Sequence, residues 1–437
     1  MSERAAAIVI GAGIGGLVAS AYLAREGVHT LLLDARTVPP EPAEALIALD
    51  ARVISELRLL SRGLAYAQRD LPLALQGEVP CVIGRDLHAA SATLAKFSDA
   101  DALAWPPYRR ALMAEARKLR RWWWAMPEEE RPDSGWSADA RRAFNRLCLT
   151  GADAYLGQRF ETPALLAVLL WDAGAGGFSV SEPGSALALV WRAAQEMEGR
   201  QAATAVAHPG TLVAALTRSQ AMAQFRPKAQ VTQILTRAGG VTGVVLADGS
   251  EIEADHVIST LPRARTLRLA GLPQTESRIG EAQILLWLNP GFAAPALSPA
   301  RHILVSRPDA HADAHEAARA GRLAANLPME WVMLAQDLVA VTARPVPAPL
   351  KADGRARVAA QAVMALSRAL PGVAGALAGV EVRIRPGRAS LADLLAPPLS
   401  RIRTPIKGLF LAGESAEPLP AISGRAARAA ARLILSH

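Results

Sequence analysis

Four residues near the start of the chain have the types and spacing to hold a dinucleotide. Gly11, Gly13 and Gly16 stand in G-x-G-x-x-G order directly after the apolar run Ile8-Val9-Ile10, and Asp34 follows them. Each type has a physical task. Gly11 permits a tight turn, Gly13 lets the backbone approach a pyrophosphate, and Gly16 lets a helix pack closely on a strand. The N-terminus of that helix would aim free N–H groups and the positive end of its dipole at the phosphates. Asp34 lies close to the offset of about 20 residues at which a carboxylate reaches the ribose hydroxyls. A lone glycine motif is weak, and a glycine-rich turn in an unrelated α/β protein is the plain alternative. Here strand, glycines, helix, second strand and acid occur in order.

The elements that must position these residues are legible around them. Ile8 to Ile10 suit a buried parallel strand. Leu17, Val18, Ala21, Tyr22 and Leu23 continue with helical periodicity, and Gly27 sits where that helix should stop. Thr30 to Leu33 read as the second strand, with Asp34 at its end.

Other residues that could do chemistry have plainer readings. His311 and His315 are four apart beside Glu316, but no third ligand is evident and the Ala-rich surroundings predict a solvated helix. Cys81 and Cys148 form no CxxC pair and read as incidental thiols. No G-x-S-x-G elbow is present, which disfavours hydrolase chemistry. Trp122, Trp123 and Trp124 follow two arginines, but consecutive helical residues point to different sides. They therefore read as packing, with a membrane interface as the lesser alternative. Arg425, Arg428 and Arg432 fall on one helical face and predict a solvated surface.

Composition bounds the class. The 437 residues, 51% hydrophobic and 20% charged, suit a folded protein of two or three lobes. No uncharged apolar run reaches the roughly 18 residues of a membrane span, and the apolar start carries the glycine motif of a fold. A cytoplasmic protein is expected. The net charge of +8 comes mostly from scattered arginines, with no nucleic-acid motif. It leaves room for peripheral contact with an anionic surface, here the inner membrane.

Along the chain, Val38-Pro39-Pro40-Glu41-Pro42 is a proline-rich break, and residues 45–60 read as a helix. Residues 87–101 predict an exposed strand end and then a helix, and 102–126 a strong helix. Residues 173–184 read as a loop, either over a pocket or between helices. Residues 229–235, 241–246 and 251–258 predict strands joined by the Gly239-Gly240 and Asp248-Gly249 turns, with 258–261 re-entering the main sheet. Strands near 284–288, 302–305, 330–334 and 380–384 suggest a separate sheet, with a helix at 351–370. Finally, Leu409 to Leu411 predict a strand ended by Gly413-Glu414, and a terminal helix starts at Arg425 with its N-terminus beside the phosphates or flavin.

Three segments in this order, the N-terminal motif, AQVTQILTRAGGVTGVVLADGSEIEADHVIST and GLFLAGES…ISGRAARAA, resemble the phytoene desaturase and amine oxidase superfamily of FAD enzymes. The likeness is greatest to phytoene-dehydrogenase-like proteins of the pyridine nucleotide-disulfide oxidoreductase domain type. It implies an α/β protein in which a discontinuous Rossmann-type FAD-binding domain is interrupted by an inserted α+β substrate domain. The FAD-binding parts would be 1–70, 201–275 and 396–437, and the substrate domain 71–200 and 276–395. The resemblance implies that Gly11, Gly13 and Gly16 hold the pyrophosphate and Asp34 the adenosine ribose. Val231 would meet the adenine by its backbone. Gly413 and Glu414 would lie near the pyrophosphate and ribityl chain, and Ile422 near the isoalloxazine. Two places depart from the family pattern: Thr37-Val38-Pro39-Pro40 stands where relatives carry Gly-Gly, and SAEPLPAIS replaces a glycine-rich turn.

The implied activity is dehydrogenation or desaturation of a small apolar substrate, isoprenoid or carotenoid-like, by hydride transfer to the flavin. Such a reaction obliges no His or Cys, and no catalytic residue and no metal ligand is assigned. An amine oxidase-like enzyme, which would want an aromatic cage at the flavin, is one alternative. A non-catalytic relative acting as a partner subunit of another protein is the other.

Overall fold

A computed structural model describes residues 3–40, 49–68, 71–75, 81–126, 131–197, 206–207, 210–220, 223–292, 299–305, 307–387, 391–419 and 423–436. In chain order the strands are β1 Glu3–Ile10, β2 Thr30–Leu33, β3 Tyr66–Gln68, β4 Leu73–Leu75, β5 Cys81–Ile83, β6 Val206–Ala207, β7 Ala223–Arg226 and β8 Val231–Arg237. They continue with β9 Gly240–Leu246, β10 Glu251–Ser259, β11 Ile279–Leu288, β12 Arg301–Leu304, β13 Met329–Ala335, β14 Leu338–Pro347, β15 Leu377–Pro386 and β16 Leu409–Leu411.

The first large sheet runs β7-β2-β1-β10-β9-β8, with β16 beside the second half of β10. Pairing is parallel among β7, β2, β1, β10 and β16, and antiparallel only where β9 joins β10 and β8. The apolar run of β1 is buried, as a central parallel strand covered on both faces requires. Helix Ile14–Arg25 covers one face, and helix Arg425–Leu435 packs beside it through Ala426, Ala427, Ala430 and Ala431. These small side chains let the two helices approach closely.

The second sheet runs β15-β11-β14-β13-β12-β4-β5, antiparallel except for β12 with β4. It is the separate sheet expected from the sequence, although β14 was not foreseen, and neither was β7 in the first sheet. Helix Ala352–Leu366 packs against it. A third body of side chains joins helices Asp99–Ala125, Pro163–Ala173 and Ala186–Glu196. Trp122 and Trp123 are buried there, and Trp123 meets Trp191 edge-on at 5.9 Å. Trp124 turns instead under the Arg52 guanidinium, 4.0 Å from its ring centroid. Among the described residues no helix is long and apolar enough to cross a membrane.

Several local expectations are corrected. Residues 87–94 form a helix, not a strand end, because the Asp86 carboxylate caps it by accepting from Ala89 N (2.8 Å). The helix expected over 45–60 is short, Ala51–Glu56, begun by the Asp50 cap; residues 45–48 lie outside the described residues. The His311 side is no solvated face. Its imidazole is 4% exposed, lies 2.8 Å from the Ala167 carbonyl, and is pushed by burial down to about 4. Nor is the terminal arginine face solvated. Arg425 and Arg428 are 7% and 9% exposed: Arg425 lies 3.9 Å from the Asp50 carboxylate, and Arg428 forks onto the Glu56 carboxylate with two 2.7 Å contacts. Only Arg432, which lies 3.5 Å from the same carboxylate, is largely exposed. The loop 173–184 is an ordinary interhelical connection, with Phe178 and Val180 buried.

The Arg428 fork holds the Glu56 carboxyl down at about 2, against an ordinary value of 4.5. A depressed folded-state value stabilises the fold above about pH 4.5, and this contribution is lost as pH falls toward 2. Glu56→Gln is expected to lower stability at pH 7 by about 1 kcal/mol. It should also remove this part of the acid limb, read by urea unfolding of both proteins between pH 7 and 2.5.

Candidate functional site

The glycine motif folds as its spacing requires. Gly11 turns the chain out of β1 with a left-handed φ of +94°, and its N–H donates to Leu33 O (2.8 Å), which ties the turn to the end of β2. At Gly16 a Cβ would stand 1.8 Å from Gly11 O, so no other residue lets this helix lie so close. Gly13 is the N-cap of helix Ile14–Arg25, and no side chain caps that end. Nothing lies within 4 Å of where a Gly13 Cβ would be. The helix therefore presents uncapped N–H groups to open space.

That space is a cavity of about 890 Å³, and it collects the site residues from distant parts of the chain. Gly11, Gly13, Asp34, Val231, Gly413 and Glu414 all line it. Gly16 stands behind the wall and sets the helix position, and Ile422 lies outside the described residues. Val231 is brought beside Asp34 by the bond from Ala229 N to Asp34 O (2.8 Å). Gly413 follows β16 and crosses the end of β10 so tightly that a Cβ there would stand 2.2 Å from Thr260 O.

Asp34 is buried and already engaged. Its Oδ2 accepts from Ala12 N (2.6 Å) and Arg36 Nη2 (2.9 Å), and its Oδ1 from Arg36 N (2.8 Å) and Nε (2.9 Å). Burial alone would raise its carboxyl, but Arg36 and the two backbone donors outweigh it and hold it below the ordinary carboxylate range. The carboxylate thus clamps the glycine loop to the loop after β2. Arg36 belongs to the site although motif reasoning passed over it; its signal is its place two residues after the acid.

The end of the last helix differs from expectation. Glu417 Oε1 accepts from Ala426 N (3.0 Å) and Ser423 Oγ, and Ser423 Oγ accepts from Arg425 N (3.0 Å). This N-terminus is satisfied from within the chain, whereas the first helix offers open donors to an anion. Glu414 binds the Arg385 guanidinium, which also binds Glu281. A positioning role therefore suits Glu414 better than that of a general base. Arg385 and Gln283 bring β15 and β11 of the second sheet into the opposite wall. Neither left a signal in the sequence, because only sheet pairing places them there.

An uncapped helix start, a glycine loop open at Gly13 and a cavity of about 890 Å³ fit a dinucleotide, whose pyrophosphate Gly13 would hold. Among the described residues no group of His, Cys, Asp and Glu could hold a metal ion.

Known proteins agree with this geometry. A model of the NAD(P)-binding Rossmann-like domain matches residues 9–39, and one of flavin containing amine oxidoreductase matches residues 58–273. The chain is 26% identical over 359 residues to the mouse (Mus musculus) pyridine nucleotide-disulfide oxidoreductase domain-containing protein 2, covering 67% of this chain and 62% of that protein. It is 27% identical over 339 residues to hydroxyneurosporene desaturase of Cereibacter sphaeroides, covering 67% and 64%. The chain thus spans less than two thirds of the length of these curated relatives. Its fold is that of putrescine oxidase, of which a triple mutant redesigned for cofactor binding aligns with a TM-score of 0.63 at 14% identity, over 100% of this chain and 99% of that one. The flavin-containing family and the open cradle agree on FAD as the cofactor.

Gly13→Val is expected to fold like the parent, since its side chain meets only open space, but to fill the cradle and lose most bound flavin. Gly16→Ala should instead lower the melting temperature by several degrees, as core clashes of 1–3 kcal/mol do. Visible absorbance after FAD reconstitution, with thermal melts of both variants, checks the contrast.

Proposed function

We propose that this chain, a member of the FAD-dependent superfamily that spans amine oxidases and phytoene desaturase-type enzymes, is a dehydrogenase or desaturase acting on a hydrophobic, isoprenoid-like substrate. FAD held in the cavity would supply the hydride acceptor. The chain's own residues bind, orient and exclude water. Gly13 and the open helix start hold the phosphates, and Asp34 with Arg36 shapes the adenosine end. The Arg385 clasp fixes the second sheet over the cavity.

One observation carries the choice between chemistries. Among the described residues that line the cavity there is no Phe, Tyr, Trp or His. An amine held at the flavin by an aromatic cage would want such residues, whereas hydride removal from a hydrocarbon obliges none. The likeness to hydroxyneurosporene desaturase supports the substrate class. A cytoplasmic setting with peripheral contact at the inner membrane suits such a substrate. Arg110, Arg117 and Arg121, exposed along helix Asp99–Ala125, would favour an anionic surface.

The absorbance spectrum of the purified protein, before and after adding FAD, is the first test. Oxidised-flavin bands at near-stoichiometric amounts are expected, followed by anaerobic bleaching with polyenes and not with amines. Bleaching by amines alone would replace the desaturase reading. A colourless protein that takes up no FAD would leave only a partner-subunit role.

The Thr37–Pro40 loop gives a further expectation, because Pro40 lines the cavity at a place where the family resemblance implies glycine. Proline lacks the N–H and the conformational freedom of glycine. Pro39→Gly with Pro40→Gly is expected to tighten FAD binding, read as a lower Kd in a fluorescence-quenching titration.

A further inference from the structure

Asp34 stands where a ribose is to be read, yet its carboxylate is already fully occupied. A carboxylate offers about four lone-pair sites, two on each oxygen. Ala12 N takes one on Oδ2 at 2.6 Å, and Arg36 N takes one on Oδ1 at 2.8 Å. The other site on each oxygen is taken by the Arg36 guanidinium, Nη2 on Oδ2 and Nε on Oδ1, both at 2.9 Å. Nε and Nη2 form one edge of a planar fork, which here meets both oxygens at once.

The two pairs of donors differ in kind. Ala12 N and Arg36 N belong to the backbone of the glycine loop and of the loop after β2, so they stay with the fold. The guanidinium sits on a side chain with rotatable bonds. That side chain is 52% exposed, against 4% for the Asp34 side chain it binds. Both residues line the large cavity. When the guanidinium turns away, it returns to water that already reaches half of the side chain. It then leaves one acceptor site open on each of the two oxygens. Two neighbouring hydroxyls of a ribose, each donating one O–H, fill that pattern.

We infer that Arg36 is a latch on Asp34: its guanidinium and the ribose diol of the adenosine compete for the same edge of the carboxylate, and the cofactor binds by displacing it. The inference rests on reading this cavity as the FAD site. It makes Arg36 a residue that sets the affinity of the adenosine end by opposing it. A site whose competent form is only fractionally populated binds with reduced apparent affinity, and here the competent form has the latch off.

Calorimetry of ADP and of 2′-deoxy-ADP with the flavin-free full chain tests the latch. Arg36→Met is expected to bind ADP about tenfold tighter than the parent, since no charge-assisted fork has to be broken. 2′-Deoxy-ADP should gain less, because it lacks one of the two hydroxyls that fill the freed edge. A purely structural role of Arg36 would instead weaken both nucleotides alike. If Arg36→Met fails to fold, Arg36→Lys keeps the charge without the planar fork, and a smaller gain for ADP is expected. Weaker or unchanged ADP binding in a folded variant, equal gains for the two nucleotides, or no ADP binding by any of the proteins would overturn the latch. FAD uptake by the parent, followed separately by visible absorbance, keeps the two readings apart. A parent that takes up FAD while the variants gain no ADP affinity fails the latch alone. A parent that stays colourless while the variants gain ADP affinity fails the cofactor reading and upholds the latch.

Discussion

Where β10 ends, Thr260 donates its backbone N–H to Ile10 O and Ala412 donates to Ser259 O, both at 2.9 Å. Three segments far apart in the chain cross there within one hydrogen bond of one another. The crossing leaves no room for a Cβ at Gly413, where it would meet Thr260 O, or at Gly15, where it would stand 2.5 Å from Ala412 O. The Thr260 hydroxyl fastens the crossing further by donating to Ile10 O (2.9 Å). The position of the open helix start, and with it the phosphate end of the cavity, follows from this one packing constraint. Asp34 reinforces it from the other side through Ala12 N.

A second constraint ties this part of the molecule to the other sheet. Glu414 binds Arg385, Arg385 binds Glu281, and Glu281 pairs with Arg344 at 3.4 Å. Arg344 then donates to Trp171 O (2.9 Å) and lies 3.9 Å from the Trp171 ring centroid, while the Trp171 indole donates to Glu330. From Glu330 the line of charges continues through Arg301 to Asp172. Burial alone would raise the Asp172 carboxyl, but Arg301 and Arg192 bring it down to about 2, so it stays ionised at neutral pH. Ion pairs of this kind add little net stability against an apolar core. Their directional demands fix where β11, β14 and β15 stand relative to the cavity.

The sequence made the first sheet legible because its signals are local. Strand, glycines, helix and acid lie within a few dozen residues, and the hairpins β8–β9 and β9–β10 carry their turn residues. β2 and β16 were found with their observed bounds, since a short apolar run between turn residues leaves little freedom. What was missed depends on partners distant in the chain. Arg428 and Arg425 looked like a solvated stripe because nothing near them announces Glu56 and Asp50. His311 looked exposed because the Ala167 carbonyl that receives it comes from another helix. Arg385 and Gln283 reach the site only through the pairing of β11 with β15, a register that no local pattern encodes.

The wall that Arg385 and Arg383 supply bears on what the cavity can hold. An isolated guanidinium facing a hydrocarbon would be costly, and would instead draw an anion. Here Arg385 is shared by Glu281 and Glu414, and Arg383 is forked by Glu381 with contacts of 2.6 and 2.9 Å. Both positive charges on this wall are thus met by neighbouring acids of the chain. A paired wall can stand beside an apolar chain without demanding a counter-ion from it.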